Sequence, residues 1–439
     1  MQLYEDKNMD KWVIMFKGGV ETQEFFSIEM AHTFEAEGYN VYWFDLLVSQ
    51  DSSLLLQSFL EQNRCKEIII FTFNFSGISG EAGLYGDEWK TGNLWDEYEL
   101  PVYNMVVDHP LYYHKAIALR PKRYVQLSID FNHIQYMKRF FPEVNASSAY
   151  ESAKSDKTEI CVARDEDYFL PLGGTGINLN RDIVPDKDYL PLDERPIDVI
   201  FTGNYTPPQT FEKYLVNMDP DSRAFFHQLV RENIDRPDEI TERLLEEKLI
   251  REAVAYDTDS LRAVMPNLMY VDLSVRFFYR AKVITTLADN GIKVHTYGAG
   301  WNLAECKKPE NIVIHGNVDS RKCLDMLSQS KLSVNVMPWF KRGAHDRIFN
   351  SMLNGAAVVS DGSEYICRCF DKDSILMYNL NDLQSDEGCE MLAGQVKELL
   401  KDRDRLENMV SVGYSLCIKK HTWAARTMEF IDKCLKIMV

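Results

Sequence analysis

The residue types best placed to do chemistry fall within residues 334–370, VNVMPWFKRGAHDRIFNSMLNGAAVVSDGSEYICRCF. Lys341 and Arg342 are followed closely by His345 and Arg347. The pattern reads as strand, basic loop, helix, strand and turn. Residues 332–337 are β-prone, and Pro338 ends the run because proline cannot donate a ladder hydrogen bond. The spacing predicts a helix over about 344–354, with Ile348, Met352 and Leu353 on one apolar stripe. Gly355 suits the left-handed stop of a helix, and Asp361-Gly362 is a turn signal after a second apolar run. A helix start offers unpaired N–H groups and the positive end of a dipole. With Arg347 in the first turn, a diphosphate there would be held by amides and a guanidinium fork. The competing reading is a basic surface loop that caps an ordinary helix.

A second set of groups follows the apolar run of residues 101–110, PVYNMVVDHP. An acid beside a histidine at the carboxyl end of a strand is where general-base chemistry would sit, which singles out Asp108 and His109. Tyr112, Tyr113 and His114 add ring faces suited to stacking a sugar or a base. The alternative makes Asp108 a helix cap and His109 a packed core histidine. Asp130 also lies at a predicted strand end. Gly18-Gly19 closes the first strand and permits close backbone approach, a pattern that a plain tight turn shares.

The chain has 439 residues, enough for two or three domains, and its 45% apolar and 12% aromatic content marks it as globular. A net charge of −18 argues against a general nucleic-acid binder, whose footprint would be basic. No apolar run is long enough to span a membrane, so only peripheral membrane contact is open to it. The polar, acidic start is unlike a signal peptide. Nine scattered cysteines without zinc-like spacing read as reduced thiols, and the expected location is cytoplasmic. Walker, nucleophile-elbow and H-E-x-x-H motifs are absent. D-x-D triplets at 165, 186, 219, 257 and 402 avoid the strand ends of the second domain and read as solvated surface, so no metal ligand is assigned.

The elements that must position these groups alternate. Strands are predicted at 11–16, 40–44, 67–73, 101–107 and 124–129, with further strands at 160–163 and 169–172, so the first domain is expected to hold at least six. Continuous apolar strands alternating with helices imply a parallel sheet covered on both faces, with ligands at the carboxyl ends. Residues 180–195 read as a linker. A new sheet starts at 197–202, residues 211–264 form a helical insertion, and a long helix covers 271–290. Arg276 and Arg280 lie four apart and share a face of that helix, a pattern more often of a solvated face than of a ligand pair. Strands at 293–297, 312–314 and 374–377 complete the second sheet.

The run G-A-H-D-R-I-F-N-S-M-L-N-G-A-A-V-V-S-D resembles the nucleotide-sugar segment of GT-B glycosyltransferases, in particular the bacterial glycosyl transferases group 1, spore-maturation-like. His345, Arg347, Phe349, Gly355, Val358 and Asp361 match the family's pattern. Position 350 departs: the family has Glu, taken to bind the ribose hydroxyls, and this chain has Asn350. His421-Thr422-Trp423 with Arg426 resembles the family's terminal stretch, and the match is best over about 197–430. The resemblance implies an α/β fold of two Rossmann-like parallel-sheet domains facing a cleft. The domains would be 1–190 for the acceptor, 196–420 for the nucleotide sugar with an insertion at about 208–265, and 421–439 as a helix crossing back. It implies transfer of a sugar from a nucleotide-sugar donor to a glycan, lipid-linked glycan or protein acceptor, without a cofactor or metal. Arg347, with Lys341 or Arg342, would neutralise the diphosphate, and Asp108 or His109 would contact acceptor or sugar. Gly18, Gly19, Gly203, Asn204, Gly298, Gly300, His345, Asn350, Asp361 and Glu364 would complete the donor site. The alternative is a GT-B protein that binds a nucleotide sugar or stabilises a partner enzyme without catalysis, and a GT-B epimerase is a third reading.

Overall fold

A computed structural model describes residues 11–145, 149–154, 157–177 and 189–437. The chain divides into two compact units, one of Met1–Leu172 with Trp423–Val439, the other Gly173–Thr422. Both carry the parallel sheet that alternating strands and helices demand.

The first unit has a five-stranded parallel sheet in the order β2-β1-β3-β4-β5, with β1 at Lys11–Lys17, β2 at Tyr39–Asp45, β3 at Glu67–Phe73, β4 at Val102–Val106 and β5 at Tyr124–Ser128. β3, EIIIFTF, is buried from its second residue to its last, as a strand covered on both faces must be. This order places the topological switch point between β1 and β3. Trp423 packs on Phe26 and Phe73, and Phe430 packs on Phe34, Phe71 and Tyr103. Burying each large apolar side chain contributes about 1.5–3 kcal/mol. That gain explains why the end of the chain belongs to this unit. Its helix is shorter than expected, Trp423–Glu429, and passes into a π turn at Phe430–Cys434.

Two expectations for this unit fail. Residues 160–163 fall in and just after β7 (Lys157–Val162), which pairs with β6 (Ala149–Lys154) in a separate antiparallel hairpin. Phe169 forms an isolated bridge to Ser128 and no named strand, with Leu170 N–H donating to Ser128 O at the β5 edge. The parallel sheet therefore stops at five strands, and the hairpin brings the unit to the expected six or more although no strand forms at 169–172. The unit boundary also falls at Leu172/Gly173, ahead of the expected 190. Thr175 and Ile177 are hydrogen-bonded into the second unit by Asn350 and Asn354, which assigns this stretch to that unit. Of the expected linker, residues 180–188 lie outside the described residues. Arg195 is buried and donates to the carbonyls of Leu190, Ser330 and Gly355.

The second unit has a six-stranded parallel sheet in the order β10-β9-β8-β11-β12-β13, with β8 at Ile197–Thr202, β9 at Val294–Tyr297, β10 at Ile312–Gly316, β11 at Ser330–Asn335, β12 at Ala357–Asp361 and β13 at Ile375–Tyr378. Three α-helices, Pro220–Asp235, Thr241–Arg251 and Thr258–Val264, form the insertion before the 22-residue helix Leu268–Asp289. The D-x-D residues Asp219, Asp257 and Asp402 are N-caps of helices, a structural use of the short carboxylate. No helix among the described residues is long and apolar enough to cross a membrane.

Candidate functional site

The strand order of the second unit reverses between β8 and β11, and ligands of open α/β sheets bind outside the carboxyl ends of strands at such a point. Gly203, Asn204, Gly298, Gly300 and Arg347, among the expected residues of this unit, lie there. The chain leaves β8 through Gly203-Asn204 and leaves β9 through Gly298-Ala299-Gly300, and the two turns are laced together. Gly203 N–H donates to Tyr297 O, Tyr205 N–H to Ala299 O, and Ala299 N–H to the Asn204 side chain at 2.9 Å. A Cβ on Gly298 would lie 2.3 Å from the Gly203 carbonyl oxygen, so only glycine allows this approach. Trp301 Nε1 donates to the same carbonyl at 2.8 Å.

The helix after β11 runs over Asp346–Leu353, close to the expected bounds, and Gly355 takes the left-handed conformation with φ of 72°. His345 is its N-cap, with Nδ1 accepting from Arg347 N–H at 3.3 Å. Burial and the adjacent Arg347 push the His345 imidazole down to about 4, so it is neutral at pH 7. Arg347 is 5% exposed. Its Nε donates to Thr202 O at 2.5 Å and its Nη1 to Asn335 Oδ1 at 2.7 Å. The guanidinium also lies over the Phe201 ring, 4.9 Å from its centre. The arginine expected to grip a diphosphate thus braces the ends of β8 and β11 with two of its three nitrogens.

Lys341 and Arg342 are differently employed. Lys341 Nζ donates to the carbonyls of Pro237 and Pro338. Arg342 pairs with Glu364 at 2.5 Å, and Arg368 joins the same carboxylate. Two of the expected donor-site residues therefore neutralise each other. Asn350, expected at the ribose, is engaged within the fold: its Oδ1 accepts Thr175 N–H at 2.8 Å and its Nδ2 donates to Asp346 Oδ2 at 2.9 Å. Gly174 lies so close that a Cβ there would be 2.7 Å from Phe349 Cβ. The first segment of the second unit thereby covers the Asn350 face of the helix.

Asp361 ends β12, is 3% exposed, and accepts Met337 N–H on both oxygens at 2.9 and 3.0 Å. Burial pushes its carboxyl up to about 7. With Lys341, Glu364, Met337 and Tyr378 it lines a cavity of about 620 Å³ at the carboxyl ends of β11, β12 and β13.

Two further cations lie by the switch point, outside the site residues expected from the sequence. Arg276 and Arg280, read as a solvated pair, stack on Trp339, with guanidinium carbons 4.1 and 5.2 Å from the ring centre. Arg280 is 8% exposed and donates to Asn204 O at 3.0 Å, and Arg276 pairs with Asp272. The signal was Trp339 in the basic loop, since a tryptophan face is the preferred seat of an arginine. Arg276, Arg280, Trp339, His345 and Arg347 make this end of the sheet an electropositive, ring-lined surface suited to an anion.

The expected groups of the first unit gather at its own strand ends. Gly18 N–H donates to Glu24 at 2.8 Å, so the Gly18-Gly19 turn already holds an acid. Asp108 accepts from Asn74 Nδ2 at 3.1 Å and from Tyr113 OH at 3.3 Å. His109, and not Asp108, caps the next turn, with Nδ1 accepting Leu111 N–H. Its ring packs on His133 and Tyr136 at 4.6 and 4.9 Å, a structural role that leaves Asp108 as the better chemical candidate. Among the described residues no three His, Cys, Asp or Glu side chains are grouped to hold a metal.

Residues 280–432 match the family model described as glycosyl transferase-like, a stretch that includes the Gly298-Ala299-Gly300 turn, Trp339 and the Asp346–Leu353 helix. No curated protein matches the sequence. Similar solved structures include an alpha-glucosyltransferase in complex with UDP, at 13% identity and a TM-score of 0.49 over 97% of this chain and 99% of that one. A sucrose-phosphate synthase from Thermosynechococcus elongatus aligns at 10% identity and a TM-score of 0.44 over 96% and 98%. Anabaena Alr3699/HepE in complex with UDP-glucose aligns at 9% identity and a TM-score of 0.46 over 96% and 98%.

Proposed function

We propose that this chain, a two-sheet α/β protein of the GT-B type with a glycosyl transferase-like domain at residues 280–432, transfers a sugar from a nucleotide-sugar donor to a hydroxyl-bearing acceptor. The observation that carries the reading is the arginine cluster at the β8/β11 switch point, where Arg276 and Arg280 flank Trp339 and Arg347 joins the two strand ends. A leaving diphosphate develops negative charge, and fixed cations in a partly dry site stabilise it without reorganising. The cations are protein groups, so the reaction proceeds without a divalent metal. On the first unit, Asp108 is the residue that meets the acceptor or the sugar. It serves as base if the enzyme inverts and as a positioning group if it retains. The acceptor is a glycan, a lipid-linked glycan or a protein.

One observation favours a second reading, a protein that binds a nucleotide sugar without transferring it. Asn350 stands where the resembled family has Glu, and both ends of its amide are engaged within the fold. A panel of UDP-, GDP-, ADP- and CMP-sugars separates the readings, with thermal shift for binding and free nucleotide for turnover. Binding with nucleotide release supports transfer. Binding without release, in the presence of glycan and protein acceptors, supports the second reading. Failure of every donor to bind overturns both.

A further inference from the structure

Among the described residues, Asn74 and Phe75 are the only successive non-glycine residues in the left-handed region, with φ of 47° and 65°. They follow β3, one of the two strands that border the switch point of the first unit. Asparagine tolerates this conformation, whereas for phenylalanine it is an outlier that the surroundings must impose. Phe75 N–H donates to Asn104 Oδ1 at 3.1 Å. Asn104 Nδ2 donates to Tyr124 OH at 2.8 Å, and that hydroxyl donates to Gln126 Oε1 at 3.1 Å. The Phe75 ring is 1% exposed, with the Tyr113 and Tyr124 rings at 5.3 and 6.0 Å. A buried polar chain and an aromatic stack therefore fix the turn from two sides.

What the turn delivers is the Asn74 side chain. Its Oδ1 accepts Val107 N–H at 2.8 Å, and its Nδ2 donates to Asp108 Oδ2 at 3.1 Å. One amide thus holds both the backbone that leads into Asp108 and the carboxylate itself. A further donor to that oxygen, Tyr113 OH, belongs to the ring that packs on Phe75. Glycine would adopt the turn with less strain and supply neither bond. Aspartate would accept from Val107 but set a second carboxylate against Asp108. Asparagine satisfies the backbone conformation, the acceptor and the donor together.

We propose that Asn74 is the positioning residue for Asp108, fixing the orientation in which its carboxylate meets an acceptor hydroxyl. This role rests on the reading of Asp108 as the acceptor-contacting group. Asn74→Gly keeps the turn and removes the amide, and Asn74→Asp keeps the acceptor and removes the donor. The probe is hydrolysis, with water as acceptor, of whichever UDP-, GDP-, ADP- or CMP-sugar the wild-type protein cleaves fastest, read as nucleotide release. Crystal structures of the wild type and of Asn74→Gly give an arm that needs no activity. Expected are folded variants in which kcat falls at least about tenfold while the donor KM holds, as loss of one bond to a charged group predicts. The Asp108 carboxylate is expected to leave its wild-type position in Asn74→Gly. An unchanged kcat in both variants, or an Asp108 carboxylate that stays in place in Asn74→Gly, overturns the role. If the wild type cleaves no donor, the functional reading fails. A displaced Asp108 then still supports positioning by Asn74, and an undisplaced one still overturns it.

Discussion

Arg347 Nη1 donates to Asn335 Oδ1 at 2.7 Å, from the first turn of a helix back onto the last residue of the strand that precedes it. The same guanidinium reaches across to the last residue of β8 through Thr202 O. The bond ties chemistry to architecture, because the group best suited to an anion is also what holds the two strand ends at their separation.

Arg347→Ala is therefore expected to lower stability as well as donor binding. It leaves Thr202 O and Asn335 Oδ1 without a donor in a buried place, at about 1–3 kcal/mol for each unsatisfied group. Urea unfolding of Arg347→Ala, Asn335→Ala and the double variant measures the link. A coupling of about 0.5–3 kcal/mol is expected, and strictly additive losses would show that the bond does not form in solution.

Asn350→Glu sets a carboxylate against Asp346, four residues away on the same helix, where an amide now donates. The expected outcome at neutral pH is a stability loss of roughly 1 kcal/mol that shrinks in acid as the pair shares a proton. Thermal unfolding at neutral and acid pH, beside calorimetry with a nucleotide sugar, checks it. Tighter donor binding with unchanged stability would place position 350 on the ribose instead.

Asp361 has a folded-state value raised by burial to about 7, above its value in the unfolded chain. The folded state holds the proton more tightly, so this group's contribution is complete below the ordinary carboxylate value and is lost as pH rises towards about 7. The slope is about 1.4 kcal/mol per pH unit within that window. Lys341 and Arg347 lie near and oppose the rise. Asp361→Asn cannot ionise, and its amide oxygen can still accept Met337 N–H. It should gain stability on the wild type as pH is raised across the window. Parallel stability curves for the two proteins would show that Asp361 titrates as an exposed carboxylate does.

Transfer should survive EDTA, because Arg276, Arg280 and Arg347 supply the positive charge at the switch point. Nucleotide release assayed with and without chelator decides this. Loss of activity restored by magnesium or manganese would mean that a metal, and not the arginine cluster, neutralises the diphosphate.

Much of this protein was legible in its sequence. Both parallel sheets were announced by continuous apolar strands such as EIIIFTF, because a strand covered on both faces cannot alternate. The Asp346–Leu353 helix and its Gly355 stop were set by local spacing and backbone freedom. So was the placing of Gly203, Gly298 and Gly300 at strand ends, since a strand's end is a local property. What each side chain touches was decided only by the tertiary structure. Arg347, Arg342 and Asn350 carry the expected chemical groups, yet their partners are Thr202, Asn335, Glu364 and Thr175, up to 175 residues away in sequence. Arg276 and Arg280 become part of the site only because Trp339 folds over them from another element. A hydrogen-bonding group is satisfied by whatever lies within about 3 Å of it. Chain order sets which groups exist, and packing sets which of them meet.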